Sequence, residues 1–228
     1  VKFIELKPGK SILNRDILAY KSEVNASKYF YVLGAVHGDE VEGAHLAAKL
    51  LEWAKENSEL NLPIIFVPIV NIDGFVNNTR VNANGVDLNR NLPSSKWQAQ
   101  FTEAKYNPGT SPLSEPENKF LISLFDQYPP RFILSFHSWY PVLNYNGKCK
   151  EVAEYLQKFN QYPIEADFEN HPTPGSLGEY GPQHYSCPVL TFECPLITEG
   201  HTLEGIWEIN KEGLTSLFSS GFVENFKN

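Results

Sequence analysis

Four stretches of continuous apolar residues, Tyr29 to Val36, Ile64 to Val70, Phe132 to Phe136 and Val189 to Phe192, stand out along the chain. None shows the polar alternation of a strand with one wet face, so each is expected to be a strand buried on both sides. Patterns of helical period lie between them. Val41 to Trp53 sets Val41, Ala44, Ala48 and Leu51 on one face, and Phe120, Leu121, Leu124 and Phe125 repeat the arrangement further on. Ser114-Glu115-Pro116-Glu117 predicts the start of that second helix as a capping box, with Ser114 accepting from the Glu117 amide and Glu117 reaching back. Lys150 to Phe159 and Leu203 to Phe218 complete the helical set. Strands alternating with helices predict an α/β fold, a single-domain α/β/α sandwich around a mainly parallel, mixed central sheet over residues 1–228.

Sheets of this kind bind ligands beyond the carboxyl ends of their strands. The first run ends at His37, the second at Asn71-Ile72-Asp73-Gly74, the third at His137-Ser138 and the fourth at Glu193, so polar groups gather at one edge. His37-Gly38-Asp39-Glu40 sets an imidazole and a carboxylate three residues apart. Both are zinc donors, and a catalytic zinc takes three protein ligands and keeps one open position. His137 is the candidate third ligand. His45, His171, His184 and His201 compete, but His45 sits two turns along a helix and the others lie in loops. The plain alternative for His37 to Glu40 is a solvated loop, and a lone His after a strand is usually structural. Asp73 to Pro116 is too long and turn-rich for an ordinary connection and is expected to be a substrate loop.

The chain has 228 residues, 42% of them hydrophobic and 13% aromatic, enough to bury a sizeable core in one domain. Lysine and arginine total 19 against 27 acidic residues, a formal charge of −8, which argues against nucleic acid or an anionic membrane as partner. A small molecule or peptide is left. No apolar run approaches the roughly 20 residues that span a bilayer, and the start lacks a signal peptide's basic and apolar regions, so a cytoplasmic location is expected. The chain begins at Val1 and contains no Met, however, and a leader removed with the initiator would place it in the periplasm or outside. The three cysteines are an odd number. An extended run between Cys187 and Cys194 would hold them roughly 23 Å apart, too far to bridge. Cys149 could pair with either, but buried free thiols in a reducing compartment are favoured.

The loop segment Thr79-Arg80-Val81-Asn82-Ala83-Asn84-Gly85-Val86-Asp87-Leu88-Asn89-Arg90-Asn91 adds two arginines and several amides near that edge. Taken in order, HxxE, NxDG, an arginine, DxNRN, HS after a strand and a Glu inside TFECP resemble the zinc carboxypeptidase family. The TRxNAxGVDLNRN, SPLSEPEN and PTPGSLG runs resemble its bacterial murein tripeptide amidase branch, and the likeness extends from about Val32 to Pro195. The resemblance implies a zinc carboxypeptidase-like fold with one zinc ion bound by His37, Glu40 and His137. It makes Asp87 the carboxylate that orients the His37 ring, where the residues alone allow a simple turn cap. Glu193 would be the general base for the attacking water, and Arg80 the cation at the tetrahedral oxyanion. Asn89 and Arg90 would grip a substrate carboxylate. Judged without the family, Glu193 is a strand-end acid facing solvent or held near a metal, and exposed arginines are usually solubilising. Tyr180 is the nearest candidate for the family's mobile substrate-binding tyrosine, with Tyr185 second. Ile72 stands where the family often has Pro.

The implied activity is that of a metallopeptidase or amidase, hydrolysing an amide next to a carboxylate-bearing residue. The bond would be that between γ-D-glutamate and diaminopimelate in murein peptides, as in recycling of the peptidoglycan cell wall, with Glu165, Asp167, Glu169 or Glu179 reading the distal ammonium. The chain is expected to be a monomer or homodimer. The alternatives are a desuccinylase or aspartoacylase-like zinc hydrolase of acylated amino acids, whose relatives usually append a second small domain, and a metal-free binding module of the same fold.

Overall fold

The four apolar runs form the middle of an eight-stranded sheet in the computed structural model, which describes residues 2–166 and 172–225. In chain order the strands are β1 (Phe3–Glu5), β2 (Gly9–Lys10), β3 (Asp16–Ile17), β4 (Tyr20–Ser22), β5 (Tyr29–Leu33), β6 (Ile64–Val67), β7 (Pro130–Trp139), β8 (Val142–Asn146), β9 (Ile164–Ala166) and β10 (Val189–Pro195). The helices are α1 (Val41–Glu56), α2 (Ile72–Asn77), α3 (Pro116–Gln127), α4 (Lys150–Asn160), α5 (Leu177–Tyr185), α6 (Leu203–Ser219) and α7 (Phe222–Asn225). The sheet order is β1-β4-β6-β5-β7-β10-β8-β9, with β2 and β3 paired as a separate ribbon. Its centre, β6-β5-β7-β10, is parallel throughout. The sheet is mixed because β1 and β4 run antiparallel at one side and β8 pairs antiparallel with β10 at the other.

Both faces of the central strands are covered, which is why their sequences are apolar without alternation. Phe30 and Val32 of β5, Phe132, Leu134 and Phe136 of β7, and Leu190, Phe192 and Cys194 of β10 pack with α1, α4 and α6. Tyr31 and Leu33, Ile133 and Val189 face the opposite side, with Leu121, Leu124 and Phe125 of α3 and Leu177 of α5. Along β7 and β10 this second face changes from Ile133 and Val189 to Ser135 and Thr191 and then to His137 and Glu193. Apolar core therefore gives way to polar site within two strands.

Several boundaries differ from the sequence expectation. β5 and β6 stop at Leu33 and Val67, earlier than Val36 and Val70, whereas β7 and β10 continue to Trp139 and Pro195. Gly34 and Ala35 still accept the Val70 and Asn71 amides, but Ala35 sits at φ 41°, in the left-handed region, and turns the chain toward His37. Ala44 and Leu51 of the expected α1 face are buried, but Val41 and Ala48 are not, and the buried surface extends to Gly43, Leu46, Ala47, Leu50 and Ala54 because α1 lies between the sheet and α6. The capping box at Ser114 is absent. Pro116 occupies the first helical turn and Glu115, not Ser114, is the cap position; the Ser114 hydroxyl instead donates to Glu115 and accepts from Asn91. Glu117 turns inward to accept from Asn82 Nδ2 at 3.1 Å and the Ile12 amide at 3.3 Å.

Ile72, where proline is common in the family, opens α2 at the position whose amide has no partner inside the helix, so either residue suits the turn. Asn71 caps that helix by accepting from Gly74 N at 2.9 Å and donates from Nδ2 to the Arg80 carbonyl at 3.1 Å. Asp73 anchors the amino-terminal ribbon rather than the site: it accepts from Ser11 Oγ, Leu13 N and Arg15 Nη1 at 2.9, 2.9 and 2.6 Å. Asp73→Ala leaves those donors unsatisfied. It is expected to cost about 2–3 kcal/mol, less than the loss of a fully buried ion pair, because the Arg15 side chain is 36% exposed. Urea denaturation of the variant checks this, and a change below about 0.5 kcal/mol contradicts it. All three cysteines are buried free thiols, so Cys149 forms no disulfide. No helix among the described residues is long and apolar enough to cross a membrane.

Candidate active site

His37 and Glu40 stand on the turn between β5 and α1, where the Glu40 amide donates to the His37 carbonyl at 3.3 Å. Gly38 is required there, since a Cβ at that position would collide with the Gly74 and Phe75 backbone of α2. His137 and Glu193 lie inside β7 and β10, one residue or more before the strand ends, as direct neighbours in the parallel register. The sheet places them side by side before any side chain is considered.

The candidate ligand atoms converge. His37 Nδ1 lies 2.7 Å from Glu40 Oε1, His137 Nδ1 lies 2.8 Å from Glu40 Oε2, and the two Nδ1 atoms are 3.1 Å apart. All three residues are buried. Two imidazole nitrogens this close need a proton or a cation between them. Each ring is held from behind: His37 Nε2 by Asp87 Oδ1 at 3.1 Å, and His137 Nε2 by Ser135 Oγ at 3.2 Å. A proton kept on each Nε2 turns the Nδ1 lone pair toward the centre, as metal-binding histidines require. The Glu193 Oε2 atom is buried beside this cluster with no hydrogen-bond partner, the kind of vacancy that a cation or a water would satisfy. Two imidazoles and one carboxylate suit zinc, and ligand atoms of one tetrahedral zinc ion lie about 3.3 Å apart.

Charge is balanced around the cluster. Burial alone would raise the Glu40 carboxyl, but His37 and His137 outweigh it and hold Glu40 well below the usual range. Asp87 is likewise held low against burial by His37 and Arg80. His37 is raised although burial and Arg80 oppose it, because Glu40 and Asp87 prevail. For Glu193 the balance goes the other way: burial, with the Glu40 charge nearby, outweighs His137 and Arg80 and pushes its carboxyl up to about 8. Arg80 donates from Nε and Nη2 to Asp87 Oδ2 at 3.2 and 3.1 Å, and from Nη1 to Glu40 Oε1 at 3.4 Å. Asp87 thus orients His37 and also caps its own turn, accepting from Asn89 N at 2.8 Å. Its two oxygens thus serve the His37 ring, the Asn89 amide and Arg80 together.

A cavity of about 340 Å³ opens from this cluster and is lined by Arg80, Asn89, Arg90 and Glu193 as well as the three metal-site residues. The long loop delivers both arginines to this cavity. Asn89 is fixed by accepting the Leu177 amide at 2.9 Å, and Arg90 donates to the Asn89 carbonyl at 2.8 Å. Burial, with Arg80 nearby, lowers the Arg90 guanidinium from its ordinary value. Tyr106 also lines the cavity, unforeseen from the sequence, with Arg80 and Arg90 at 5.5 and 5.4 Å from its ring centre. Below Glu193 the lining is neutral and polar, with Thr191 of β10 in register with Asn144 of β8, and Asn146 beside the start of α5. Asn144 and Thr191 were likewise missed.

Tyr180 does not reach this site. It lies on α5 with 2% exposure, in the core against His184. Because α5 is a regular helix, Tyr180 is fixed in place and lacks the freedom to swing that the family's mobile tyrosine needs. Tyr185 is also turned away, donating to Asp126 at 2.7 Å. His45 faces Glu204 at 3.7 Å, outside the cavity. Glu165 accepts from Tyr140 OH at 2.9 Å, and Glu179 from Ser94 Oγ at 2.8 Å, so neither acid lines the cavity. Asp167, Glu169 and His171 lie outside the described residues.

A buried pair of histidines with one glutamate, a carboxylate beside them and arginines along the adjoining cavity is the layout of a metal-dependent hydrolase. Comparison with known proteins narrows the class. The zinc carboxypeptidase family model matches residues 2–180. Murein peptide amidase A of Vibrio campbellii is 30% identical over 208 residues, covering 86% of this chain and 81% of that protein. The Escherichia coli K12 protein of the same name is 26% identical over 197 residues, covering 82% and 77%. Among solved structures, the murein-tripeptide amidase MpaA of Escherichia coli O157 superposes with a TM-score of 0.69 at 24% identity, over 90% of this chain and 89% of that one. Carboxypeptidase A of Helicoverpa armigera gives 0.79 at 19% identity, over 100% and 70%. The chain belongs to the zinc carboxypeptidase family and is a peptide hydrolase of that family.

Proposed function

We propose that this protein hydrolyses the amide bond between γ-D-glutamate and diaminopimelate in murein peptides, using one zinc ion held by His37, Glu40 and His137. The observation that carries the reading is the single cavity shared by the metal cluster, Glu193, Arg80, Asn89 and Arg90. The names of two similar proteins, both murein peptide amidases, support the choice of substrate.

Zinc bound there supplies Lewis acidity, which makes a water more acidic and polarises the scissile carbonyl. Glu193 accepts a proton as that water adds to the carbonyl carbon, then delivers it to the nitrogen as the carbon–nitrogen bond breaks. Arg80 N–H groups face the cavity where the carbonyl oxygen gains charge, and their hold on Asp87 and Glu40 keeps them in place beforehand. Asn89 and Arg90 hold the carboxylate next to the scissile bond, with Arg90 offering a planar fork. Tyr106 limits the guanidinium positions from one side.

The distal end of diaminopimelate carries one ammonium and one carboxylate, so it is polar but neutral overall. Asn144, Asn146 and Thr191 supply donors and acceptors without net charge, and among the described residues the cavity's only carboxylates are Glu40 and Glu193. This neutral floor suits a zwitterionic head better than the acidic readers expected from the sequence. Asn144→Asp is expected to shift the ratio of kcat/KM for a lysine-ended analogue over the diaminopimelate peptide upward by about tenfold, the worth of one charge-assisted hydrogen bond. An unchanged ratio would remove Asn144 from the specificity pocket.

The reading is tested by incubating zinc-loaded protein with murein tripeptide, the same peptide amidated on the carboxylate next to the scissile bond, and N-succinylglutamate. Release of diaminopimelate from the first alone is expected. Cleavage of only the last would transfer the protein to the acylated amino acid hydrolases.

A further inference from the structure

Glu42 is a buried carboxylate, 2% exposed, in the first turn of α1. It touches no metal ligand atom and does not line the cavity. Its oxygens accept from two neutral donors on different elements: Ser138 Oγ to Oε2 at 2.7 Å, and the Ile197 amide to Oε1 at 2.8 Å. Ser138 follows His137 on β7, and its own amide donates to Glu40 Oε2 at 3.2 Å. Ile197 opens the turn four residues after Glu193. One carboxylate thus ties together the helix turn carrying Glu40, the strand carrying His137 and the segment leaving the strand that carries Glu193.

The backbone is close enough for this tie to act on the site. A Cβ at Gly43 would lie 2.8 Å from the Phe136 carbonyl oxygen and 3.3 Å from the His137 amide, so the first turn of α1 rests directly on the backbone of the third ligand. A buried carboxyl group is costly to desolvate unless its oxygens find donors, and both oxygens of Glu42 do. The helix amino terminus and the two donors stabilise it, and the result is a fixed spacing between metal ligands and base.

We propose that Glu42 is a positioning residue that, through Ser138 and Ile197, sets the distance between the Glu40–His137 pair and Glu193. The proposal rests on the reading that His37, Glu40 and His137 hold zinc, but it concerns a residue outside that set. Removing the carboxylate frees Ser138 and the turn after β10, so both zinc affinity and the placement of the base suffer while the carboxylate grip of Asn89 and Arg90 does not.

The test compares wild type with Glu42→Ala, Glu42→Gln and Ser138→Ala, measuring zinc affinity by chelator competition, kcat and KM on a cleaved peptide, and thermal midpoint. Wild type is expected to bind one zinc that is lost in His37→Ala. Glu42→Ala is expected to weaken zinc about tenfold, as loss of an outer hydrogen-bond partner does, and to lower kcat about tenfold with KM within twofold. Ser138→Ala, which leaves the fold's packing nearly intact, should move both quantities in the same direction. Glu42→Gln should restore most of the loss, since its amide oxygen can take the Ile197 amide and its NH2 can donate to Ser138 Oγ. Zinc affinity and kcat within twofold of wild type in both Glu42→Ala and Ser138→Ala, whatever the thermal midpoint, overturn the proposal. So does an unrescued Glu42→Gln that loses stability alone. A wild-type chain that takes no zinc overturns the metal reading first and this inference with it; zinc bound without cleavage of murein peptide overturns only the substrate, leaving the affinity comparison decisive.

Discussion

Glu193→Gln is expected to lower kcat by about a thousandfold, within the range for loss of a general acid–base group, while the protein still holds one zinc and retains KM. The amide has nearly the shape of the carboxylate, so the sheet register that sets residue 193 beside His137 persists. What disappears is the only partnerless buried oxygen in the cluster that can take a proton from water. Metal analysis of the purified variant and steady-state kinetics check the two halves separately. Turnover above about a tenth of wild type would assign the base elsewhere.

Stripping the metal is expected to abolish turnover and to leave a protein whose stability falls as pH rises from about 5 to 8. The sign follows from two groups. The Glu193 carboxyl is pushed up to about 8 by burial, so the unfolded chain loses that proton near pH 4.5 while the fold keeps it, and stability drains away through the interval between. His37 is raised too, so its contribution also fades as pH climbs past its unfolded value. Both act in the same direction. Glu40 and Asp87, held low, contribute stability above about pH 4 that is lost only in stronger acid, and so do not alter this window. Zinc reverses the trend, because its ligands bind it better once deprotonated. Thermal midpoints at several pH values, with chelator and with zinc, should diverge as pH rises. Parallel curves would contradict the placement of the cation beside Glu193.

The chemistry was more visible in the sequence than the frame around it. β5, β6, β7 and β10 announced themselves because burial on both faces removes polar alternation, and the candidate ligands lie near where those runs give out. The short outer strands left no such trace. β8, Val142 to Asn146, turns Asn144 and Asn146 into the cavity, so its polar residues mark a site rather than a wet face. Gly178, Gly181 and Pro182 hide the helical period of α5 in the sequence. The structure accounts for both glycines: a Cβ at Gly178 would collide with the Asn146 carboxamide, and one at Gly181 would lie 2.7 Å from Val189. A tyrosine inside that helix is held in the core rather than free to move. Tyr106 was missed for a different reason. Its place depends on contacts across the long loop, with the Asp87 amide donating to the Asn107 carbonyl at 2.8 Å and Asn107 Nδ2 to the Gly85 carbonyl at 2.9 Å. Such pairings carry no periodicity. The capping box at Ser114 failed because a one-residue shift in the helix start sends Glu117 into the interior, where Asn82 was available.

The three buried thiols have a practical consequence. Burial pushes Cys149 up to about 12 and raises Cys187 and Cys194 as well, so at neutral pH none offers a thiolate to an alkylating dye. A cysteine introduced in place of exposed Lys105, at the mouth of the cavity, would therefore be the sole reactive handle without removal of any native cysteine. An environment-sensitive fluorophore attached there would follow peptide arrival in real time, and by doing so would separate the capture of a substrate from its cleavage.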